Sequence, residues 1–232
     1  MTARHSRWLG FGVHLFTASG AVLALFALIA ITEQRLAHAA LLMLAALVVD
    51  AVDGTMARAV GVAEHVPEID GRRLDDIVDY LNYVIVPVFF VWAGGFVAHP
   101  GWLAAPVLAS AYGFARVDAK TEDDFFLGFP SYWNVLAIYL WLFDVGHLSS
   151  TLWLAGLSLA VFVPFKYVYP SKLEPRTLRR ALGFGGIAWC ASLAACASGG
   201  VWTRDLWLRE LSLLYPIWYF GLSLTRGGLK RA

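Results

Sequence analysis

The sequence predicts an all-α polytopic membrane protein of about eight transmembrane helices, with both termini on the cytoplasmic side. Three observations carry that prediction. Of 232 residues, 59% are hydrophobic and only 15% charged, with a mean hydropathy of +0.63; a soluble domain has roughly 25% charged and 45–50% apolar residues. The apolar residues arrive in long blocks, and about 17–25 of them are what a hydrocarbon layer of roughly 30 Å demands of a helix. Lysines and arginines then fall in alternate gaps between the blocks. The net charge of +1 provides no basic field, so no nucleic-acid partner is expected.

Eight apolar segments follow in order, at about 8–31, 36–57, 74–97, 102–117, 131–146, 148–168, 178–198 and 206–225. The first begins after Arg4 and Arg7 and is too long for the core of a cleaved signal peptide, so it is read as a retained helix. The Ala37-His38-Ala39 stretch is then incidental. Turn-forming groups such as Thr32-Glu33-Gln34-Arg35, His99-Pro100-Gly101, Asp144-Val145-Gly146 and Ser198-Gly199-Gly200 separate the segments. The fifth is short and is allowed to start near Phe125 with a kink at Pro130. Cys190 and Cys196 lie six residues apart on different faces of the seventh helix and read as small buried hydrophobes, not a disulfide.

Numbering the gaps alternately inside and outside places Arg4, Arg7, Arg58, Arg72, Arg73, Arg116, Lys120, Lys166, Lys172, Arg176, Arg179, Arg180, Arg226, Lys230 and Arg231 inside. Only Arg35, Arg204 and Arg209 fall outside. Fifteen of 18 basic residues on one side obey the positive-inside rule, and one helix more or fewer would scramble the pattern.

Acidic residues are concentrated: eight of 17 lie between Asp50 and Asp79. Asp50 and Asp53 are spaced i,i+3 near the end of the second helix, and Asp75 and Asp79 i,i+4 near the start of the third. Each pair shares a helix face, and the connecting loop is cytoplasmic by charge. Four carboxylates converging there would repel each other and are costly beside hydrocarbon. A divalent cation, or two, resolves both problems. Hard oxygen ligands favour magnesium, manganese or calcium over zinc, and paired metals suit phosphoryl displacement. Gly54, Ala57 and Gly71 leave room for a bulky phosphate ligand, and Arg58 offers a planar fork. Asp70, before Gly71, reads as a helix cap, and Asp76 points about 100° from Asp75.

The pattern Asp50-x-x-Asp53-Gly54-x-x-Ala57-Arg58, then Gly71-x-x-x-Asp75-x-x-x-Asp79, resembles the signature of the CDP-alcohol phosphotransferases. Twelve residues separate Arg58 from Gly71, where most of that family has eight, and the resemblance does not define the path of the 59–70 loop. The longer spacing is similar to the bacterial branch that joins CDP-diacylglycerol to free choline. Val13–Gly20 and Thr121–Pro130, running on to Trp133-Asn134, look like that branch too. The resemblance implies a six-helix core, here 1–170, with two further helices in 171–232. It implies that Asp50, Asp53, Asp75 and Asp79 bind metal, two Mn2+ or Mg2+ ions, and that Gly54, Ala57, Arg58 and Gly71 receive the cytidine nucleotide. Asp79 is the implied general base. A homodimer in the bacterial inner membrane, with its active site facing the cytoplasm, is implied as well.

Choline cannot donate hydrogen bonds, and aromatic faces are its usual recognition surface. Tyr83, one turn beyond Asp79, is the first candidate, followed by Tyr132 and Trp133. Glu122, Asp123 and Asp124 read as a solvated loop able to draw cations. Lys166 and Arg116 read as topology-setting charges with lipid phosphate as the alternative, and His14 as a helix histidine within reach of the pocket. An anionic acceptor (glycerol phosphate, for instance) would instead favour Lys166, Arg116 or Lys120. Serine and inositol are alternative acceptors, and an ion or metabolite transporter is the reading from another class. The aspartates at helix ends and the absence of a repeat argue against transport.

Overall fold

The computed structural model describes residues 3–121, 123–199 and 207–229, with side chains from His5 onward. Arg4 as a side chain, Glu122, Gly200, Arg204, Lys230 and Arg231 lie outside the described residues. The chain is mostly helical: α1 (Ala3–Thr32), α2 (Leu36–Val60), the short α3 (Val62–His65), α4 (Gly71–Tyr80), α5 (Val86–Ala93), α6 (Ala104–Ala115), α7 (Trp133–Leu142), α8 (His147–Ala160), α9 (Arg176–Ala197), α10 (Leu208–Ser212) and α11 (Leu214–Arg226). Four helical stretches have the length and hydropathy to cross a membrane: His5–Thr32, Leu36–Val60, Gly71–Ala93 and Arg176–Ala197. The remaining apolar segments form shorter helices.

Packing between α1 and α2 rests on small residues. Ala24, Ala27 and Ala30 of α1 and Ala39 and Ala40 of α2 are all buried in one cluster, and such residues let helix backbones approach closely in lipid. The opposite face of α1 exposes Leu15, Val22, Phe26 and Ile29, spaced as one helical stripe. Large apolar side chains are likewise exposed on α8 and α11. In water such a surface would drive aggregation; hydrocarbon is its natural solvent.

The third span is not a simple helix. Between α4 and α5, residues Leu81–Ile85 form a π turn. Pro87 has no N–H to offer the carbonyl four residues back, at Tyr83, and its ring crowds that carbonyl. The wider π turn accommodates both effects and re-aims the side chains it carries. Asn82 fixes the turn, its Nδ2 donating to Gly20 O and Val78 O, both at 3.0 Å.

Two expectations are corrected here. Residues 125–127 do not extend the fifth helix, and 165–168 do not belong to the sixth. They form β1 (Phe125–Leu127) and β2 (Phe165–Val168), which with β3 (Gly228–Leu229) make a three-stranded antiparallel sheet in the order β1-β2-β3. Phe126 pairs with Tyr167 and Phe165 with Leu229. Apolar runs of three or four residues carry no period that separates strand from helix, and the partners lie about 40 and 60 residues apart in sequence. Gly128 (φ +85°) turns the chain out of β1. A Cβ there would stand 2.1 Å from Val161 O.

Polar ties join the connections in two groups. Arg7 pairs with Glu68, and the sheet joins the connections that follow α6, α8 and α11. At the other ends of the helices, Gln34 donates to Ala93 O (3.4 Å) and Arg209 to Leu142 O (3.0 Å).

Candidate active site

Two caps set the approach of α4 to α2. Gly61 (φ +68°) ends α2 in the left-handed region, its N–H returning to Ala57 O and Arg58 O, a conformation glycine adopts without strain. Asp70 starts α4 by accepting from Arg72 N (3.1 Å) and Arg73 N (3.2 Å). The cap expected from the sequence is therefore in place. It satisfies two amide groups that the helix start leaves open.

With the helices so placed, Asp50 of α2 and Asp75 and Asp79 of α4 each offer a carboxylate oxygen within 4.8 Å of the others. Asp53, only 6% exposed, lines the same pocket with Thr17, Gly20, Asn82 and Tyr83. Tyr83 donates its hydroxyl to Asp50 Oδ2 at 2.6 Å, a short charge-assisted bond made possible by the π turn. Among the described residues, none of the ion pairs involves these four aspartates. Close carboxylates without a cationic partner repel each other unless a proton or a cation intervenes. An all-oxygen cluster of this kind fits a hard divalent ion such as magnesium or manganese.

The expected nucleotide positions follow the first two carboxylates along α2 and open α4. Arg58 is exposed, its Nη2 donating to Thr55 Oγ1 at 3.2 Å, and Gly54 leaves the space beside its Nη1 open. Gly71 faces His14 of α1, whose Cε1 lies 3.1 Å from where a Cβ would stand. His14 is buried, and its Nε2 has no hydrogen-bond partner among the described residues. It is not the ordinary hydrogen-bonded helix histidine that its sequence context allowed. A buried polar atom left unpaired is costly, and this one sits beside the position expected to meet the nucleotide.

Of the three aromatic candidates, two flank the acids. Tyr132, at the start of α7, has its ring centroid 6.2 Å from that of Tyr83, whose hydroxyl is bonded to Asp50. Trp133 is 1% exposed. Its Nε1 donates to Ser110 Oγ of α6 at 2.7 Å and its ring packs at 5.3 Å against Phe129, a structural anchorage. The loop cations are also engaged. Lys166 Nζ meets Asp123 Oδ2 at 2.6 Å and Arg116 grips Asp118 twice at 2.9 Å; that Lys166 contact holds the Asp123 carboxyl below the usual carboxylate range. Asp124 lies 3.5 Å from Lys172. Lys120 is exposed, its Nζ 5.8 Å from the centroid of the Tyr169 ring. Asn82 and Thr17 were missed by sequence reasoning; their only signal was a polar residue on the inner face of an apolar run.

Fold and site together define a multi-pass membrane protein with an acidic chamber where α1, α2 and α4 meet, suited to a phosphorylated ligand. The chain belongs to the CDP-alcohol phosphatidyltransferase family, whose sequence model matches residues 14–164. It is similar to a phosphatidylcholine synthase of Legionella pneumophila, at 40% identity over 92% of this chain and 87% of that one. A phosphatidylcholine synthase of Legionella bozemanae is 44% identical over 89% of this chain and 98% of its own. One from Borreliella burgdorferi is 40% identical over 72% and 71%.

Proposed function

We propose that this protein transfers the phosphatidyl group of CDP-diacylglycerol to choline, forming phosphatidylcholine and releasing CMP. The observation that carries the reading is the convergence of Asp50, Asp75 and Asp79, in motif order, within a chain whose relatives are named for that product. Asp50, Asp53, Asp75 and Asp79 would hold the metal, with two ions of magnesium or manganese as the finer reading. When bound, the metal supplies neutralisation of the pyrophosphate charge and of the departing CMP.

The protein's own groups do the rest. Gly54, Ala57, Gly71 and Arg58 receive the cytidine nucleotide, the glycines and alanine by leaving room and Arg58 by its fork. Asp79 accepts the proton of the choline hydroxyl, since an unactivated alcohol is a poor nucleophile. The freed oxygen attacks the lipid-side phosphorus in line, the bond to the bridging oxygen breaks, and CMP carries away that electron pair. Tyr83 holds Asp50 in place through its hydroxyl. With Tyr132, its ring faces the acceptor's cationic end; Trp133 supports the same wall from behind.

The topology that fits best has eight crossings, with both termini and the active site on the cytoplasmic face of the inner membrane. The polar ties support it. The N-terminal end meets the connection after α2 through Arg7 and Glu68, and the sheet joins the connections after α6, α8 and α11, all assigned inside by charge. Gln34–Ala93 and Arg209–Leu142 join connections assigned outside. Residues 1–170 form the catalytic core and 171–232 an added helical pair. The unit is a homodimer.

The test incubates purified protein with CDP-diacylglycerol, manganese and labelled choline, following CMP release, with serine, inositol and glycerol phosphate in parallel. Turnover with choline alone is expected. Turnover with one of the others and none with choline would overturn the acceptor assignment.

A further inference from the structure

We infer that the last helix completes the seat of the acceptor's quaternary ammonium, with Tyr219 of α11 as a wall of an aromatic cage shared with Tyr83 and Tyr132. The inference rests on the choline reading above and extends it to a part of the chain outside the family match. The aspartates act on a pyrophosphate and a hydroxyl, which every alcohol acceptor presents in the same way. Discrimination among acceptors therefore has to come from what surrounds the rest of the alcohol. In choline that remainder is a cation without a hydrogen-bond donor, two carbons from the reacting oxygen. A hydroxyl placed at Asp79 leaves the ammonium beside it, and ring faces within about 6 Å are what hold such a cation.

Three elements bring phenol rings into one row that leads from the acids. Tyr83 comes from the π turn with its hydroxyl on Asp50. Tyr132 comes from the start of α7, 6.2 Å from Tyr83, and Tyr219 comes from α11, 6.0 Å from Tyr132 and at 71° to it. Tyr219 is 6% exposed, far inside for a residue of a lipid-facing helix. Its neighbours Phe220 and Leu224 are exposed, so α11 turns this one tyrosine inward. Its hydroxyl donates to Val168 O at 3.0 Å, which pins the ring against Tyr132. Tyr132 precedes the helical turn of α7 at φ −74°, ψ 53°, and its ring lies between those of Tyr83 and Tyr219. The family model stops at residue 164. Tyr219 thus lies outside the part of the chain that the family model matches.

The test uses the full-length protein and compares Tyr219→Leu, Tyr219→Phe and Ser223→Ala, with 3,3-dimethylbutan-1-ol as the uncharged isostere of choline. Ser223 ties α11 to β2 through Val168 N at 3.1 Å and touches no ring of the cage, so its variant isolates the tie. Tyr219→Leu is expected to raise the KM for choline about tenfold, leave the KM for CDP-diacylglycerol in place, and erase the preference for choline over the isostere. Tyr219→Phe and Ser223→Ala are expected to keep the choline KM near the parent value. A Phe variant as impaired as the Leu variant would reduce Tyr219 to a latch on Val168 and overturn the inference, as would an unchanged choline KM in Tyr219→Leu. Should the Leu variant fail to accumulate, Tyr219→Met provides the second non-aromatic substitution. Absence of choline turnover in the parent protein would instead sink the underlying function.

Discussion

At the scale of single residues, Asp79 and Tyr83 carry separable predictions. Asp79→Asn removes the group that takes the acceptor's proton, and a loss of about 10²–10⁴-fold in kcat is expected. Binding of CDP-diacylglycerol, measured by titration calorimetry, should persist. Full activity in that variant would remove Asp79 from the role of base. Tyr83→Phe keeps the ring and deletes the 2.6 Å bond to Asp50. A hydrogen bond to a charged group is worth about 1.5–3 kcal/mol, so this variant should weaken metal activation, read as a raised manganese requirement, with little change in choline KM. Asp50, Asp53, Asp75 and Asp79 were legible in the sequence because helix spacing alone fixes which face each occupies. Trp133 was less legible: its neighbour Ser110, 23 positions away, occupies the indole N–H, and no local pattern announces such a partner.

At the scale of elements, the sheet and the π turn set the geometry. Gly128→Ala forces an L-residue to φ +85° and drives its Cβ onto Val161 O. The backbone strain alone costs roughly 1–2 kcal/mol, and a thermal melt in detergent should fall while Gly146→Ala, which meets nothing within 4 Å, stays near parent. The clasp between β2 and the turn that precedes β1 has a defined pH sense. Asp123 is held below its ordinary value by Lys166, so the contact contributes above that ordinary value and is lost as pH falls through the lowered one. The helices were legible because hydrophobic length and charge announce them. The strands were not. Phe125–Leu127 and Phe165–Val168 are apolar, and only pairing with distant partners decides that they extend.

At the scale of the molecule, cysteines placed at Arg35 or Asp144 should react with a membrane-impermeant maleimide in intact cells. Cysteines placed at Arg72 or Asp124 should react only after lysis. Equal labelling of all four would break the eight-crossing scheme. Four helices have the length to cross a membrane, so the eight-crossing scheme rests on charge and not on helix length: Pro100 at the front of α6 and the strands beside α7 and α8 take residues that a straight span would use. The placement of β3 has a further consequence, for the order of events during synthesis. It is the final strand to leave the ribosome, and it lies against β2, whose other edge carries β1 and the loop from Lys120. The sheet gains its third strand only after α11 has been inserted, so a chain halted one helix early would own every motif aspartate and still leave one edge of β2 unpaired.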